Sequence, residues 1–396
     1  MTDILEGWDR EPASNVRVYP DNKRFTYSDG AEVEHRILRI LKSSSDLSVA
    51  SPELQTQITD WATEYHFSPH RRNLVAHLQI GAGTRVLELG AGCGAISRHL
   101  GEMGASLTSI EGSLVRARCA AERCRDLPNV RVACARFDQV VSQPLYDYVF
   151  LIGVLEYAAC YSDSAEPYRE LLQHAAAFLK PDGVLVVAIE NQLGLKYFCG
   201  APEDHLGRVN AGIEDRYSAK SARTFGRVEL SRLLWSSGLH AQEFHFPFPD
   251  YKQPRLVLTD AGLEDPNFDS GELIQHAVES LPVRDPETRR VDEASVWPVV
   301  ARNGIARDLA NSLLALAGTE RLPLMTAQPK SLAFWYTTHR KKEFASSTTF
   351  ARRGGARRSV CGPTWLRAGA TLGGARCRPA RKVGLQGEGS SPSELA

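Results

Sequence analysis

The chain of 396 residues has no excess charge of either sign: 47 Lys and Arg face 47 Asp and Glu, a formal net charge of zero. No long-range field therefore recruits nucleic acid or an anionic membrane. None of the eight cysteines, at 93, 119, 124, 134, 160, 199, 361 and 377, forms a C-x-x-C pair. That leaves out a zinc ribbon and a thioredoxin-like motif and fits idle, buried thiols; no metal site is expected from spacing. The first residues, MTDILEGWDREP, lack a basic stretch followed by an apolar run, so no signal peptide is expected. Apolar runs such as Val184–Ile189 are too short to span a bilayer. The expectation is a cytoplasmic protein whose 43% hydrophobic and 24% charged residues build and solvate a core.

Length suggests two or three units. Residues 1–78 read as a helical N-terminal cap. Within 31–45, Val33, Ile37, Ile40 and Leu41 share one helical face. A second helix starts at Pro52 and runs through His66, and a third starts at Ser68-Pro69. Residues 79–262 alternate apolar strands (85–89, 106–110, 129–134, 146–152, 184–189) with helices (95–104, 114–124, 168–179). After an irregular, polar insertion over 191–226 and a helix over 227–237, segments 238–248 and 255–259 are linked too closely for anything but antiparallel pairing. The expected fold is α/β, a Rossmann-like, mostly parallel seven-stranded sheet with an antiparallel edge strand, carrying the helical cap and a helical C-terminal appendage. That appendage covers 263–350, with Leu309–Ala317 its clearest helix. From Ala351 the chain holds nine glycines and eight arginines but no Ile, Phe, Tyr, Asp or Asn. Such a composition cannot offset its ordering entropy, so 351–396 is expected to be a disordered tail with no specific nucleic-acid site.

The chemistry concentrates between the first two strands of the 79–262 unit. Glu88-x-Gly90-x-Gly92-x-Gly94 joins a strand to a helix, and the next strand ends in Glu111. Glycines let the backbone approach a ligand that a Cβ would block, and the helix start offers unpaired N–H groups. An acid at the end of the second strand accepts hydrogen bonds from a ribose diol. Gly90, Gly92, Ala95 and Glu111 satisfy a dinucleotide fingerprint equally well. Three features favour S-adenosylmethionine over a nicotinamide cofactor. Glu88 is placed to hold the amino-acid end, the sheet finishes with an antiparallel strand, and no second mononucleotide-binding half follows.

With these residues in view, the chain resembles class I S-adenosylmethionine-dependent methyltransferases. LELGAGCG (87–94), SIEGS (109–113), DYVFLIGVLEY (147–157) and LKPDGVLVV (179–187) are similar to the motifs of that family. The resemblance implies S-adenosyl-L-methionine as cofactor. It puts Gly90, Ala91, Gly92 and Gly94 along the methionine part, Glu111 on the ribose with Gly112 and Ser113 beside it, Phe137 or Asp138 against the adenine, and Ile152 and Gly153 over the cofactor. ENQLGLKYFCGAPEDHLGR (190–208), RTFGRVELSRLL (223–234), FPFPDYKQP (246–254), NGIARDLANSLLALA (303–317) and DWATEYHFSPHRRNL (60–74) resemble a narrower subgroup. Its members occur alone or joined to glycosyltransferases in bacterial surface-polysaccharide synthesis. That resemblance implies a sugar or glycan acceptor and glycosyltransferase partners; fold and cofactor alone do not fix the acceptor.

No Asn/Asp-Pro-Pro-Tyr run follows the fourth strand, which argues against amide or adenine methylation, and no Pro-Cys pair suggests cytosine chemistry. A sugar hydroxyl gains from a general base, and the expected base is His205 in the long insertion. Asp204 or Glu203 orients it or joins it as a metal ligand. Glu190 and Asn191, just after the fifth strand, are expected to face the same cleft. Tyr65, His66 and Arg71 are read as a lid over the methionine carboxylate or as helix packing, and Phe246, Phe248 and Tyr251 as a stacking surface or hairpin cover. Two rival functions stay open: an NAD-linked oxidoreductase using the same loop, and a non-catalytic binding module of this fold.

Overall fold

The near-continuous apolar runs form strands covered on both faces. The computed structural model describes residues 4–20, 30–141, 143–279, 287–322, 331–338, 340, 344–353 and 356–363. In chain order the strands are β1 (Asp9–Arg10), β2 (Val16–Val18), β3 (Arg85–Leu89), β4 (Ser106–Glu111), β5 (Val130–Cys134), β6 (Tyr146–Ile152), β7 (Leu179–Glu190), β8 (Ala241–Phe248), β9 (Leu256–Thr259), β10 (Ser312–Gly318), β11 (Ser331–Tyr336), β12 (Ser346–Arg353) and β13 (Ala356–Pro363). They join one mixed sheet in the order β1-β2-β5-β4-β3-β6-β7-β10-β8-β9-β11-β12-β13. Pairing is parallel from β2 to β7 and antiparallel from β7 onward. Side chains alternate between two apolar layers, as a pleat requires. Leu87, Leu89, Val149, Leu151, Leu185 and Val187 fill one layer. Val86, Phe150, Ile152, Val184 and Val186 fill the other.

The expected seven-stranded sheet is therefore too narrow, and its antiparallel member is not at an edge. β10 lies inside the sheet, antiparallel to β7 on one side and to β8 on the other. It comes from Leu309–Ala317, read from sequence as a helix. All seven residues of β10 are buried. A short apolar run of this kind fits a buried helix and a buried strand equally well, and its two open neighbours, β7 and β8, decide for the strand. The segment 263–350 is thus no helical appendage: its helices (Ser270–Glu279 and Glu293–Arg302 the longest) are followed by strands that complete and extend the sheet.

The N-terminal cap also differs from expectation. β2 pairs with β5, so 1–78 contributes strands as well as helices. Helix Ala31–Ser43 forms as expected, but the second helix breaks into Pro52–Gln55 and Trp61–Phe67. Asp60 causes the break: its side chain accepts from the Thr63 N–H, while the Thr63 hydroxyl accepts from the Asp60 N–H, a reciprocal cap that starts a new helix. The third helix is a 3-10 turn, Pro69–Leu74. Of the expected disordered tail, residues up to Arg353 and Ala356–Pro363 are strands; the rest lies outside the described residues. β8 and β9 pair as the short link demanded. Strand order reverses at β3, with β4 on one side and β6 on the other. Such a switch point opens a crevice beyond the carboxyl ends of the strands.

Candidate active site

A cavity of about 920 Å³ occupies that crevice. Its floor is the glycine loop after β3. Gly90, Gly92 and Gly94 all have positive φ (91°, 55° and 83°), where a side chain is strained. The N–H groups of Gly90 and Ala91 donate to the Ile110 carbonyl at 2.8 and 3.2 Å, tying the loop to β4. Ala91, Gly90 and Gly92 line the cavity; Gly94 does not. A Cβ on Gly94 would come 2.8 Å from the Ala120 Cα. Its role is close packing of helix Ala95–Glu102 on helix Leu114–Arg123, not ligand contact.

Glu111 ends β4 and is 5% exposed. Its two carboxylate oxygens accept from the N–H groups of Gly92 (2.8 Å) and Ser113 (2.9 Å). The carboxylate is thereby fixed on the cavity wall with lone pairs to spare for a diol. Gly112 lines the cavity beside it, and Ser113 serves from behind through its backbone. Phe137 and Asp138 lie on the wall after β5. Arg136 holds Asp138 in a two-point ion pair at 3.0 and 2.9 Å, which keeps the Asp138 carboxyl below its ordinary range. Ile152 and Gly153 close the wall at the end of β6.

Glu88 is 3% exposed and accepts from the hydroxyls of Ser97 (2.5 Å) and Ser109 (2.9 Å). Burial dominates over those bonds and pushes its carboxyl up to about 7. Across the cavity, helix Trp61–Phe67 and the following turn supply Trp61, Tyr65, His66 and Arg71 as a roof. Arg71 donates to the carbonyl of Lys252 (2.7 Å) and to Tyr65 Oη (3.1 Å), while its buried Nε has no hydrogen-bond partner. These residues fit S-adenosylmethionine: an acid for the ribose, a buried carboxyl suited to a cationic group, and an unpartnered guanidinium nitrogen suited to a carboxylate.

Beyond the sulfur position expected for such a ligand, the wall becomes charged. Glu156, Tyr157, Asp204, Tyr251 and Lys252 line it. Lys252 Nζ donates to Glu190 and, at 3.1 Å, to Asp204. Lys196 Nζ (2.6 Å) and Tyr197 Oη (2.5 Å) hold the other Asp204 oxygen. Burial works against each of these charges. Lys196 and Lys252 outweigh it at Asp204, whose carboxyl falls well below its ordinary range. Lys252 and then His205 outweigh it at Glu190, which also stays ionised. At Glu156 burial and the Glu190 charge act together and push the carboxyl up. His205 is 10% exposed; burial opposes its charge, but Glu190 and Glu156 raise it above its ordinary range.

Residues 50–244 match the model of a family described as methyltransferase domain. Residues 50–244 are thus similar to a methyltransferase domain. Among curated proteins, the demethylmenaquinone methyltransferases of Tropheryma whipplei strains Twist and TW08/27 are each 30% identical to the chain over 117 residues, covering 30% of this chain and 46% of theirs. The chain thus spans about half the length of the curated relatives it matches. Among solved structures, a Haloferax volcanii putative methyltransferase in complex with the Trm112 activator is 18% identical at TM-score 0.40, covering 68% of this chain and 95% of that one. A Haemonchus contortus phosphoethanolamine N-methyltransferase 2 in complex with S-adenosyl-L-methionine is 18% identical at TM-score 0.40, covering 70% and 61%.

The acceptor-side residues named from sequence do not all reach the cavity. Asp204 does; Glu190 is fully buried behind Lys252, and His205 stands behind Tyr157, with Nδ1 3.2 Å from Tyr157 Oη. Glu203 does not orient the imidazole: its Oε2 accepts from the N–H groups of His205 (2.8 Å) and Leu206 (2.6 Å) and shapes the loop. Asn191 is fully buried, and its amide donates to the carbonyls of Asp308 (2.8 Å) and Ala310 (2.7 Å), a structural clamp. Phe246 and Phe248 are core residues; Tyr251 alone of the three reaches the cavity. Sequence reasoning missed Glu156, Tyr157 and Lys252. Tyr157 and Glu156 follow β6 by a few residues, a place where any strand-end residue of this fold meets the ligand crevice. Lys252 gives no sequence signal, since only the β8–β9 turn carries it there.

Proposed function

We propose that this chain moves a methyl group from S-adenosylmethionine to a hydroxyl of a polar acceptor, a sugar or glycan. The observation that carries the reading is the charged acceptor end of the cofactor cavity, where Glu156, Tyr157, Asp204, Tyr251 and Lys252 meet. Asp204 and Lys252 offer an acceptor and a donor to sugar hydroxyls, and Tyr65, Tyr157 and Tyr251 offer ring faces. S-adenosylmethionine supplies an activated methyl on a sulfonium, so alignment and exclusion of water provide much of the rate. Tyr157, as the tyrosinate with its oxygen held by the Nδ1–H of His205, takes up the hydroxyl's proton and is left as the phenol. His205 and Glu190 are positioning residues, with Glu190 locking the imidazole from behind. Glu88, Gly90, Ala91, Gly92, Glu111, Gly112, Phe137, Ile152 and Gly153 form the cofactor end. Glycosyltransferases are the partners that such an acceptor implies.

A second reading has one observation in its favour, the similarity to demethylmenaquinone methyltransferases, which implies carbon methylation of a quinone ring. A buried row of charges is a poor match for such an apolar ring. The test is transfer of labelled methyl to a panel of oligosaccharides, sugar nucleotides and demethylmenaquinone, with Tyr157→Phe and His205→Ala beside the parent. Label in a sugar hydroxyl, with kcat falling roughly 10²-fold or more in both variants and cofactor affinity unchanged, is the expected result. Label only in the quinone overturns the acceptor. A larger stability gain from NAD than from S-adenosylhomocysteine overturns the donor, and full activity of His205→Ala removes its role.

A further inference from the structure

Three buried atoms at the acceptor wall face one another without a hydrogen bond. Glu156 Oε2, Glu190 Oε2 and His205 Nε2 make no hydrogen bond. One ligand atom from each of the three residues lies within 4.8 Å of the other two. Glu156 and Glu190 are 1% and 0% exposed. Two carboxylate oxygens left unpartnered at such depth are costly. Nearby charges hold Glu190 ionised, yet both oxygens remain without a hydrogen bond. Lys252 engages the opposite oxygen of Glu190, and the nearest approach at Oε2 is His205 Nε2 at 3.4 Å, outside hydrogen-bond geometry. The imidazole is already aimed: Tyr157 Oη engages Nδ1 at 3.2 Å, so Nε2 is the nitrogen turned toward the carboxylates. A partner on the far ring nitrogen is the arrangement that orients metal-bound histidines.

We propose that Glu156, Glu190 and His205 bind one divalent cation of the manganese–zinc class. Two hard oxygens and one imidazole nitrogen suit such ions, and the 3.4 Å between Glu190 Oε2 and His205 Nε2 already matches two ligands of one ion with bonds of about 2.1 Å. Two carboxylates balance the ion's double charge. Of the three residues only Glu156 reaches the cavity, so the ion's open positions face the acceptor end and take an acceptor oxygen; this last step rests on the proposed function above. One imidazole thereby serves both groups, orienting Tyr157 through Nδ1 and holding the ion through Nε2.

The test uses the full chain, stripped with EDTA and dialysed. Manganese chloride is titrated and followed by the electron paramagnetic resonance of free ion; zinc chloride is titrated by calorimetry. One ion per chain is expected, with affinity falling roughly a hundredfold in Glu156→Gln and in His205→Ala and about tenfold in Tyr157→Phe. Glu190→Gln is left out because it strands Lys252. Circular dichroism checks each variant, and Glu156→Gln on the cavity wall decides if His205→Ala does not fold. No binding of either ion at millimolar concentration overturns the site. So does binding that Glu156→Gln leaves unchanged. S-adenosylhomocysteine binding on the same samples separates the two readings: its loss counts against the methyl donor, not against the ion.

Discussion

Replacing Glu88 by glutamine separates what the fold tolerates from what the cofactor gains. Burial moves the Glu88 carboxyl from 4.5 to about 7. In the unfolded chain it ionises near 4.5; in the fold it keeps its proton until about 7. Free protein therefore loses stability as pH climbs through that window, by up to about 3 kcal/mol at about 1.4 kcal/mol per unit, and does not recover it above. The amide of Glu88→Gln carries no such charge, so the variant without cofactor is expected to melt higher than the parent at about pH 8 and level with it at about pH 5. Cofactor affinity moves the other way. A cationic ligand group beside Glu88 favours its ionised form, so the parent's affinity rises roughly five- to tenfold between about pH 6 and pH 8 more than the variant's does. Calorimetric titration with S-adenosylmethionine and thermal melts at three pH values give both numbers. Parallel affinity profiles for parent and variant would refute the assigned contact. Equal melting at about pH 8 would refute the burial argument itself.

Two further substitutions test the frame around the site. Gly94→Ala pushes a methyl toward the Ala120 backbone at a left-handed φ of 83°, and a loss of about 2–4 kcal/mol in urea unfolding is expected. Unchanged unfolding would mean the two helices separate freely. Asn311→Ala removes an amide that donates to Glu293 (2.7 Å) and to the Pro249 carbonyl (3.1 Å) and accepts from the Lys196 N–H (3.0 Å). A loss of about 2–4 kcal/mol is expected, with faster proteolysis of the 191–226 insertion as the accompanying readout.

The glycine-loop half of the cavity was legible because its signals are local. The glycine spacing, the acid closing β4 and the apolar strands all lie within one strand–helix–strand stretch, where periodicity and backbone chemistry leave little choice. The acceptor half was not legible for the opposite reason. Glu156, Glu190, His205 and Lys252 come from four separate segments, and only the packing of the insertion against the β8–β9 turn brings them together. His205 was found by residue type, but its place behind Tyr157 depends on Glu203 folding the loop back on itself. The error at Ser312–Gly318 has the same root: an apolar run reads alike in a helix and in a buried strand, and the neighbours that decide it lie over a hundred residues upstream at β7. The break at Asp60 is different, since Asp60 and Thr63 form a capping pair that the sequence displays openly.

The internal position of β10 makes the order of synthesis matter. Among the described residues, β8 joins the central sheet only through β10, a strand translated some sixty residues after β8 itself. Until Ser312–Gly318 leaves the ribosome, β7 and β8 each present an open, apolar edge, and the turn bearing Lys252 lacks its tie to the central sheet beside Glu190, holding only to Arg71 and Asn73. A nascent chain stopped short of β10 therefore holds the complete glycine loop but exposes two unpaired edges, the setting in which strands join the wrong chain.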